Sequence, residues 1–313
     1  MTADLVRRWL HAGELALPMP GAGHTAARWW KLAALTQHDV AAGRLAEAHC
    51  DAMAILCELD GPVPGQEQLW GVWAAEAPNT MVTVAQRGGD CVLDGTKAWC
   101  SGAGSCTHAL ISARREDNAR GLYAVDLSQP EATVLPPIWQ NAGMRESDTR
   151  SVQLSGAIGV PVGEPGQYLD RPGFWHGAMG VAACWLGGAR GVAAPLYRAV
   201  AEGHRGSSGD PHAQAHLGAV DAALAAAEAI LVTAAAYVDA EPRSERTELI
   251  TRRVRAVVEH AVDQAIVRTG RALGPGPLAL DARHAQHVAD LTMYVRQSHA
   301  ERDLAALGRA VAR

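Results

Sequence analysis

Residues 88–103 read Gly88-Gly89-Asp90-Cys91-Val92-Leu93-Asp94-Gly95-Thr96-Lys97-Ala98-Trp99-Cys100-Ser101-Gly102-Ala103, a β-rich run punctuated by turn residues. Arg87-Gly88-Gly89-Asp90 predicts a tight hairpin, because two adjacent glycines accept the positive φ angles that such turns require. A second turn is expected at Asp94-Gly95, followed by a strand that carries Trp99 and Ser101. Residues two apart on a strand share a face, so this spacing predicts an aromatic wall with a hydroxyl beside it. The pair suits a planar heterocycle, with the indole on the ring face and the hydroxyl at an edge nitrogen. A buried tryptophan in a sheet with a serine next to it satisfies the same pattern.

The rest of the chain frames this run. Its 313 residues suffice for two or three packing units. The 28 basic side chains are outnumbered by 33 acids and form no long run, which argues against a nucleic-acid partner. Cys50, Cys57, Cys91, Cys100, Cys106 and Cys184 contain no Cys-x-x-Cys pair, so free thiols and a cytoplasmic location are expected. The first ten residues lack a signal peptide's apolar core, and no segment is expected to span or bind a membrane.

Residues 1–62 read as helical, with a break over Pro18–Gly23 and a cap at Asp39. Leu45, Ala48, Ala52, Ile55 and Leu56 recur at helical spacing until Asp60-Gly61-Pro62. His24, His38 and His49 have no metal-ligand spacing and read as surface or cap residues. Residues 63–165 form a β unit with strands expected at 80–86, 91–93, 107–114, 122–127 and 149–154. Gly163-Glu164-Pro165-Gly166 reads as a linker. Residues 170–313 are helical again: Leu217, Leu224, Leu231 and Val238 lie seven apart, opposite a helix over 246–272 that shows Ile250, Val254, Val258, Ala261 and Ala265. Gly177, Gly180, Gly187, Gly188 and Gly191 point to close approach of a neighbour or ligand, and Pro195 to a kink.

Leu93-Asp94-Gly95-Thr96-Lys97-Ala98-Trp99-Cys100-Ser101 resembles the flavin-contacting segment of the acyl-CoA dehydrogenase family. Gly143-Met144-Arg145-Glu146-Ser147-Asp148-Thr149 is similar to that family's Gly-x-Arg-x-Ser-x-Thr segment, with Arg145, Ser147 and Thr149 expected on one strand face in a structural role. Leu186-Gly187-Gly188-Ala189-Arg190 looks like its Gly-apolar-Ala-Arg signature. Arg205 with Gly209 resembles a pyrophosphate-binding Arg-x-x-Phe-Gly motif, with Ser208 in place of Phe. Arg271-Ala272-Leu273-Gly274-Pro275-Gly276 resembles a glycine turn that approaches the cofactor's phosphates. An ordinary helix cap reads equally well there. The resemblance covers about 240 residues, from Trp70 onward. It implies an α+β multidomain fold: a short N-terminal helical segment, a central antiparallel β domain and a C-terminal four-helix bundle. It also implies FAD held by Ala75, Trp99, Ser101, Arg205, Gly274 and Gly276, and a homodimer or homotetramer.

The departures concern chemistry. Most members of the family place a catalytic Glu eight residues after an Asp on the late loop, and counting from Asp290 reaches Ser298. The alternative position, at the start of the first bundle helix, falls at Gly177. His299, Glu301 and His176 are the remaining candidates for the base, with Ser101 beside the flavin; imidazole titrates near neutral pH. The family's substrate loop is reduced to Ala75-Glu76-Ala77-Pro78-Asn79-Thr80, and the N-terminal domain is about half the usual size. Three readings follow: an FAD-dependent dehydrogenase of a small-molecule or carrier-linked acyl substrate, a flavin monooxygenase or oxidase, and an inactive scaffold homologue.

Overall fold

The computed structural model describes residues 2–78, 80–202 and 210–312. The chain forms helices α1 (Thr2–His11), α2 (Thr25–His38) and α3 (Val40–Glu58), then strands β1 (Trp70–Trp73), β2 (Val82–Arg87), β3 (Asp90–Cys100), β4 (His108–Arg114), β5 (Arg120–Asp126), β6 (Ala132–Val134) and β7 (Arg150–Pro161). Helices α4 (Gln167–Asp170), α5 (Pro172–Glu202), α6 (Pro211–Ala240), α7 (Thr247–Leu273), α8 (Pro275–Leu280), α9 (Ala282–Tyr294) and α10 (Glu301–Val311) follow. Contacts group these elements into two compact units. The first comprises the residues up to Leu17, Leu45–Gln140 and Arg145–Phe174; the second comprises Pro18–Arg44, Asn141–Met144 and the chain from Trp175 onward. The N-terminal helical segment is therefore apportioned between the two.

In the first unit the sheet closes on itself through β4, β2, β3, β7 and β5, with β1 and β6 attached outside this ring. The Arg87–Asp90 hairpin forms as expected, with Gly88 and Gly89 at φ 60° and 99° between the paired ends of β2 and β3. No turn interrupts β3 at Asp94-Gly95. The strand runs through, and the register against β7 slips there instead. Gly95 sits at φ 127°, and a Cβ on it would collide with the Met81 carbonyl. The extra residue of this bulge is Gly156 of β7, at φ 84°. The ladder is antiparallel except where β4 meets β1 in parallel and touches β2 at the single pair Thr83–Arg114.

Cys91, Leu93, Ile111, Tyr123, Val125 and Leu154 fill the sheet interior. Its outer face carries Trp70, Leu110 and Leu122, covered by Ala52, Ile55 and Leu56 of α3. The helical stripe read from the sequence is thus the face of α3 that packs on the sheet. His49, expected at the surface, is buried and its Nδ1 accepts the Trp70 N–H at 3.3 Å. It satisfies a backbone donor at the start of β1, a short strand of two tryptophans with too little alternation to be legible.

The second unit is the helical bundle. Asp39 caps α3 through the Ala42 N–H at 2.7 Å, as expected. Val220, Leu224, Leu231 and Val238 of α6 are buried along one face, and Val254, Val258, Ala261 and Ala265 line the matching face of α7. The opposite face of α6 is exposed. Contrary to the sequence expectation, α6 has the length and hydropathy of a membrane-crossing helix. Glu228 and Asp221 on it bind Arg190 and Tyr197 of α5 at 2.6 and 2.8 Å. The α5 glycines serve neighbouring helices: a Cβ at Gly187 would strike the Ala33 carbonyl, and one at Gly188 would strike Leu291. Pro195 lies inside α5, which continues as a helix through it.

Candidate functional site

The end of β3 departs from strand geometry. After Lys97 pairs with Val152, the next pair is Cys100 with Arg150, so Ala98 and Trp99 bulge out of the ladder. Trp99 has φ 60°, a backbone region that bulky residues rarely enter, and its side chain is 55% exposed. Ser101 lies beyond the strand, in a turn. The expected alternation of Trp99 and Ser101 on one strand face is therefore not how they are arranged. Trp99 meets Trp139 edge to face at 6.1 Å. The buried Trp73 donates its indole N–H to the Ser101 carbonyl at 3.0 Å.

Arg145, Ser147 and Thr149 do not alternate along a strand either. Residues Arg145–Ser147 form a 3-10 turn between Met144 and Asp148, both at positive φ, and β7 begins only at Arg150. This turn docks on the one after β3: Gly102 N–H donates to the Ser147 carbonyl at 2.7 Å, and Gly104 N–H to the Asp148 carboxylate at 3.0 Å. Arg150 holds that carboxylate at 2.5 Å. Three hydroxyls then line up, Ser147 to Thr149 at 2.8 Å and Thr149 donating to Ser101 at 3.1 Å. With Thr149 as donor, the Ser101 hydrogen is left to donate outward. The structure thus joins two segments that the sequence reading treated separately, and Thr149 gains a role in orienting Ser101 that the strand reading concealed.

A cleft of about 720 Å³ opens in the same unit where β2 and β4 part. Lys97 is buried at its base and donates to the Ser112 hydroxyl and carbonyl at 2.8 and 3.0 Å. Burial, with Arg120 nearby, lowers its pKa to about 8. Glu76 accepts from Arg114 at 3.0 Å and lies 3.4 Å from Arg120; the Arg114 hydrogen bond leads in lowering its pKa. Ala75 is exposed on the adjoining loop and makes no side-chain hydrogen bond, so any contact with a ligand there is through its backbone.

The remaining candidates lie in the second unit. His299 is exposed, with its Nδ1 3.6 Å from Asp303, and Glu301 is exposed in the first turn of α10. His176 is buried in α5. Ser298 donates to the Glu259 carboxylate of α7 at 2.5 Å. Sequence reasoning missed Glu259, because nothing in its helical spacing marks it as different from a surface acid. Gly274 has φ 66° and ends α7, whereas Gly276 falls inside α8, so the glycine turn is a junction of two helices. Arg205, Ser208 and Gly209 lie outside the described residues. Among the described residues no group of three side chains could hold a metal ion.

The family model of the acyl-CoA dehydrogenase middle domain matches residues 74–157. No curated protein sequence matches the chain. Solved structures share its fold over nearly its whole length. Dibenzothiophene monooxygenase TdsC from Paenibacillus sp. A11-2 is 18% identical with a TM-score of 0.77, covering 98% of this chain and 94% of its own. Methanesulfinate monooxygenase MsuC from Pseudomonas fluorescens is 20% identical with a TM-score of 0.79, over 97% and 88%. A glutaryl-CoA dehydrogenase from Mycobacterium smegmatis, solved with FADH2, is 15% identical with a TM-score of 0.82, over 99% and 86%. TdsC was also solved with FMN and indole. The chain thus has the fold of these proteins, and its residues 74–157 match the acyl-CoA dehydrogenase middle domain.

Proposed function

We propose that the chain is a flavin-dependent oxidoreductase that uses dioxygen on a small organic substrate. The flavin-binding part of this reading rests on the Trp99–Ser101 turn. An indole held out at a strained bulge offers a ring face, and a hydroxyl whose acceptor role is already filled by Thr149 offers a hydrogen to a ring nitrogen. These residues fit a flavin. A bound flavin supplies two-electron redox chemistry, either with an organic substrate or with oxygen.

One observation favours oxygen chemistry: the positions where the resemblance places a catalytic carboxylate hold Ser298 and Gly177, and His299 and Glu301 are both exposed. A proton next to a thioester needs a positioned base, and an exposed one is poorly suited to the task. The monooxygenases TdsC and MsuC share the fold, which supports this reading by analogy alone. The test is to load the protein with flavin, reduce it without air, and mix it with isotopically labelled dioxygen and small aromatic or sulfur-containing substrates. Rapid reoxidation with label in an organic product is expected. Reoxidation that yields only unlabelled compounds and peroxide would overturn it.

A second reading, acyl thioester dehydrogenation, is favoured by the Ser298–Glu259 hydrogen bond, which brings a carboxylate to the residue at the family's base position. Anaerobic bleaching of the oxidised flavin by short acyl thioesters, abolished in Glu259→Gln, would establish it in place of the first. A cytoplasmic, homo-oligomeric protein remains part of the proposal.

A further inference from the structure

Two imidazoles at the start of α9 stand where a helix crossing is ordinarily apolar. His284 and His287 are 5% and 8% exposed, and the buried atoms His284 Nδ1 and His287 Nε2 have no hydrogen-bond partner. They border a cavity of about 230 Å³ formed by α2, α5 and α9, all within the second unit. The α5 wall is open at that level for a local reason. Gly191 has no side chain, and a Cβ there would run into the His287 ring; Pro195, one turn on, has no N–H to give. The Arg198 and Arg283 side chains reach the same cavity.

We infer that this cavity is a binding site for a small oxyanion, held by His284, His287, Arg198 and Arg283. Two buried ring nitrogens left unpaired are destabilising, so the site calls for a polar occupant. Among the described residues no group of three side chains, Asp281 with the two imidazoles included, is placed to hold a metal ion. A whole cofactor is excluded by size, because ligand pockets usually start at about 300 Å³. Charge selects the sign. Arg198 and Arg283 face one carboxylate on the cavity, Asp281, which is already used in capping α9 through the His284 N–H at 3.0 Å. From α2 and its end come His38, whose carbonyl accepts from Arg283 at 3.2 Å, and Asp39, whose charge bears on His287. A neutral imidazole can donate from its buried nitrogen, and guanidinium forks match carboxylate and phosphate oxygens. Burial pushes both imidazoles towards the neutral form, so an anion arriving next to them would draw protons onto them.

The test uses the full chain loaded with flavin and inorganic phosphate as the probe, with acetate and chloride compared at constant ionic strength. Phosphate or acetate should bind saturably with a dissociation constant of about 1 mM or tighter and raise the melting temperature. The imidazole NMR signals of His284 and His287 should move together in the same titration. Arg198→Gln combined with Arg283→Gln, both exposed positions, should weaken binding about tenfold or more while leaving the fold intact. Phosphate acting better than acetate would specify a phosphate site, and the reverse a carboxylate site. Stationary imidazole signals, even with phosphate bound elsewhere on the protein, would overturn the inference and leave a water-filled cavity. Equal binding by the double Arg variant would overturn it too.

Discussion

Trp99 is the residue on which the site turns. Its positive φ and half-exposed indole are a local cost that its own strand does not offset, since Ala98 and Trp99 drop out of the ladder between the Lys97 and Cys100 pairs. Trp99→Ala should therefore leave the fold in place and weaken flavin retention about tenfold, the equivalent of one aromatic stacking contact. Equilibrium dialysis against free flavin measures this, and unchanged retention would remove the indole from the site. Thr149→Val should lower retention less, because it takes away only the donor that turns Ser101 outward. The identity of this pair was legible in the sequence, because turn glycines bracket it. Its geometry was not: a bulge shifts the face of every residue after it without changing the residue pattern.

His284 and His287 make a further case at this scale. Both have their pKa lowered by burial, so as pH falls below the ordinary imidazole value of about 6.5 the unfolded chain takes up protons that the folded chain does not. Stability is complete above that value and declines below it, towards the folded-state pKa. His287→Gln, which cannot titrate, should flatten the acid side of a melting-temperature profile taken from pH 8 down to 5. The slope removed can be no more than about 1.4 kcal/mol per pH unit.

Among the elements, β3 and α5 show how backbone contact overrides propensity. Alanine is about 1 kcal/mol better than glycine in a helix interior, so Gly187→Ala in α5 ought to stabilise the bundle if the helix stood alone. In place it should not, because the added methyl would meet the Ala33 carbonyl of α2, backbone that cannot rotate away. A net loss of about 2 kcal/mol or more is expected in urea unfolding, with the overpacking term winning. The matching change at Gly218, where nothing lies within 4 Å, should be neutral to stabilising and serves as the control. Gly95→Ala in β3 should also destabilise, through both its φ of 127° and the Met81 carbonyl.

The sequence disclosed the helices α1 to α3, the α6–α7 seam and the main strands because each carries a repeat of period 3.6 or 2. It did not disclose β1 or β6, of four and three residues, which are too short to repeat anything. Nor did it disclose the Ser147–Thr149–Ser101 hydroxyl chain or the Lys97 cleft, which join residues many positions apart through the sheet register. The two buried imidazoles escaped for the opposite reason. In the sequence His284 and His287 lie on a polar-looking helix, and only burial makes them unusual.

At the scale of the whole molecule, the ordered set of motifs carried the fold, and the chain's match over nearly its full length to solved structures bears that out. What the motifs could not carry was the reaction, since dehydrogenases and monooxygenases share the framework and differ in a few side chains. The most direct measurement is flavin binding itself. Protein purified and then incubated with FAD or FMN, freed of unbound cofactor and scanned in the visible range, should hold one flavin per chain, with the wild-type tryptophan fluorescence quenched and both signals reduced in Trp99→Ala. A folded wild-type protein that retains neither flavin and whose tryptophan emission is indifferent to them would contradict the account.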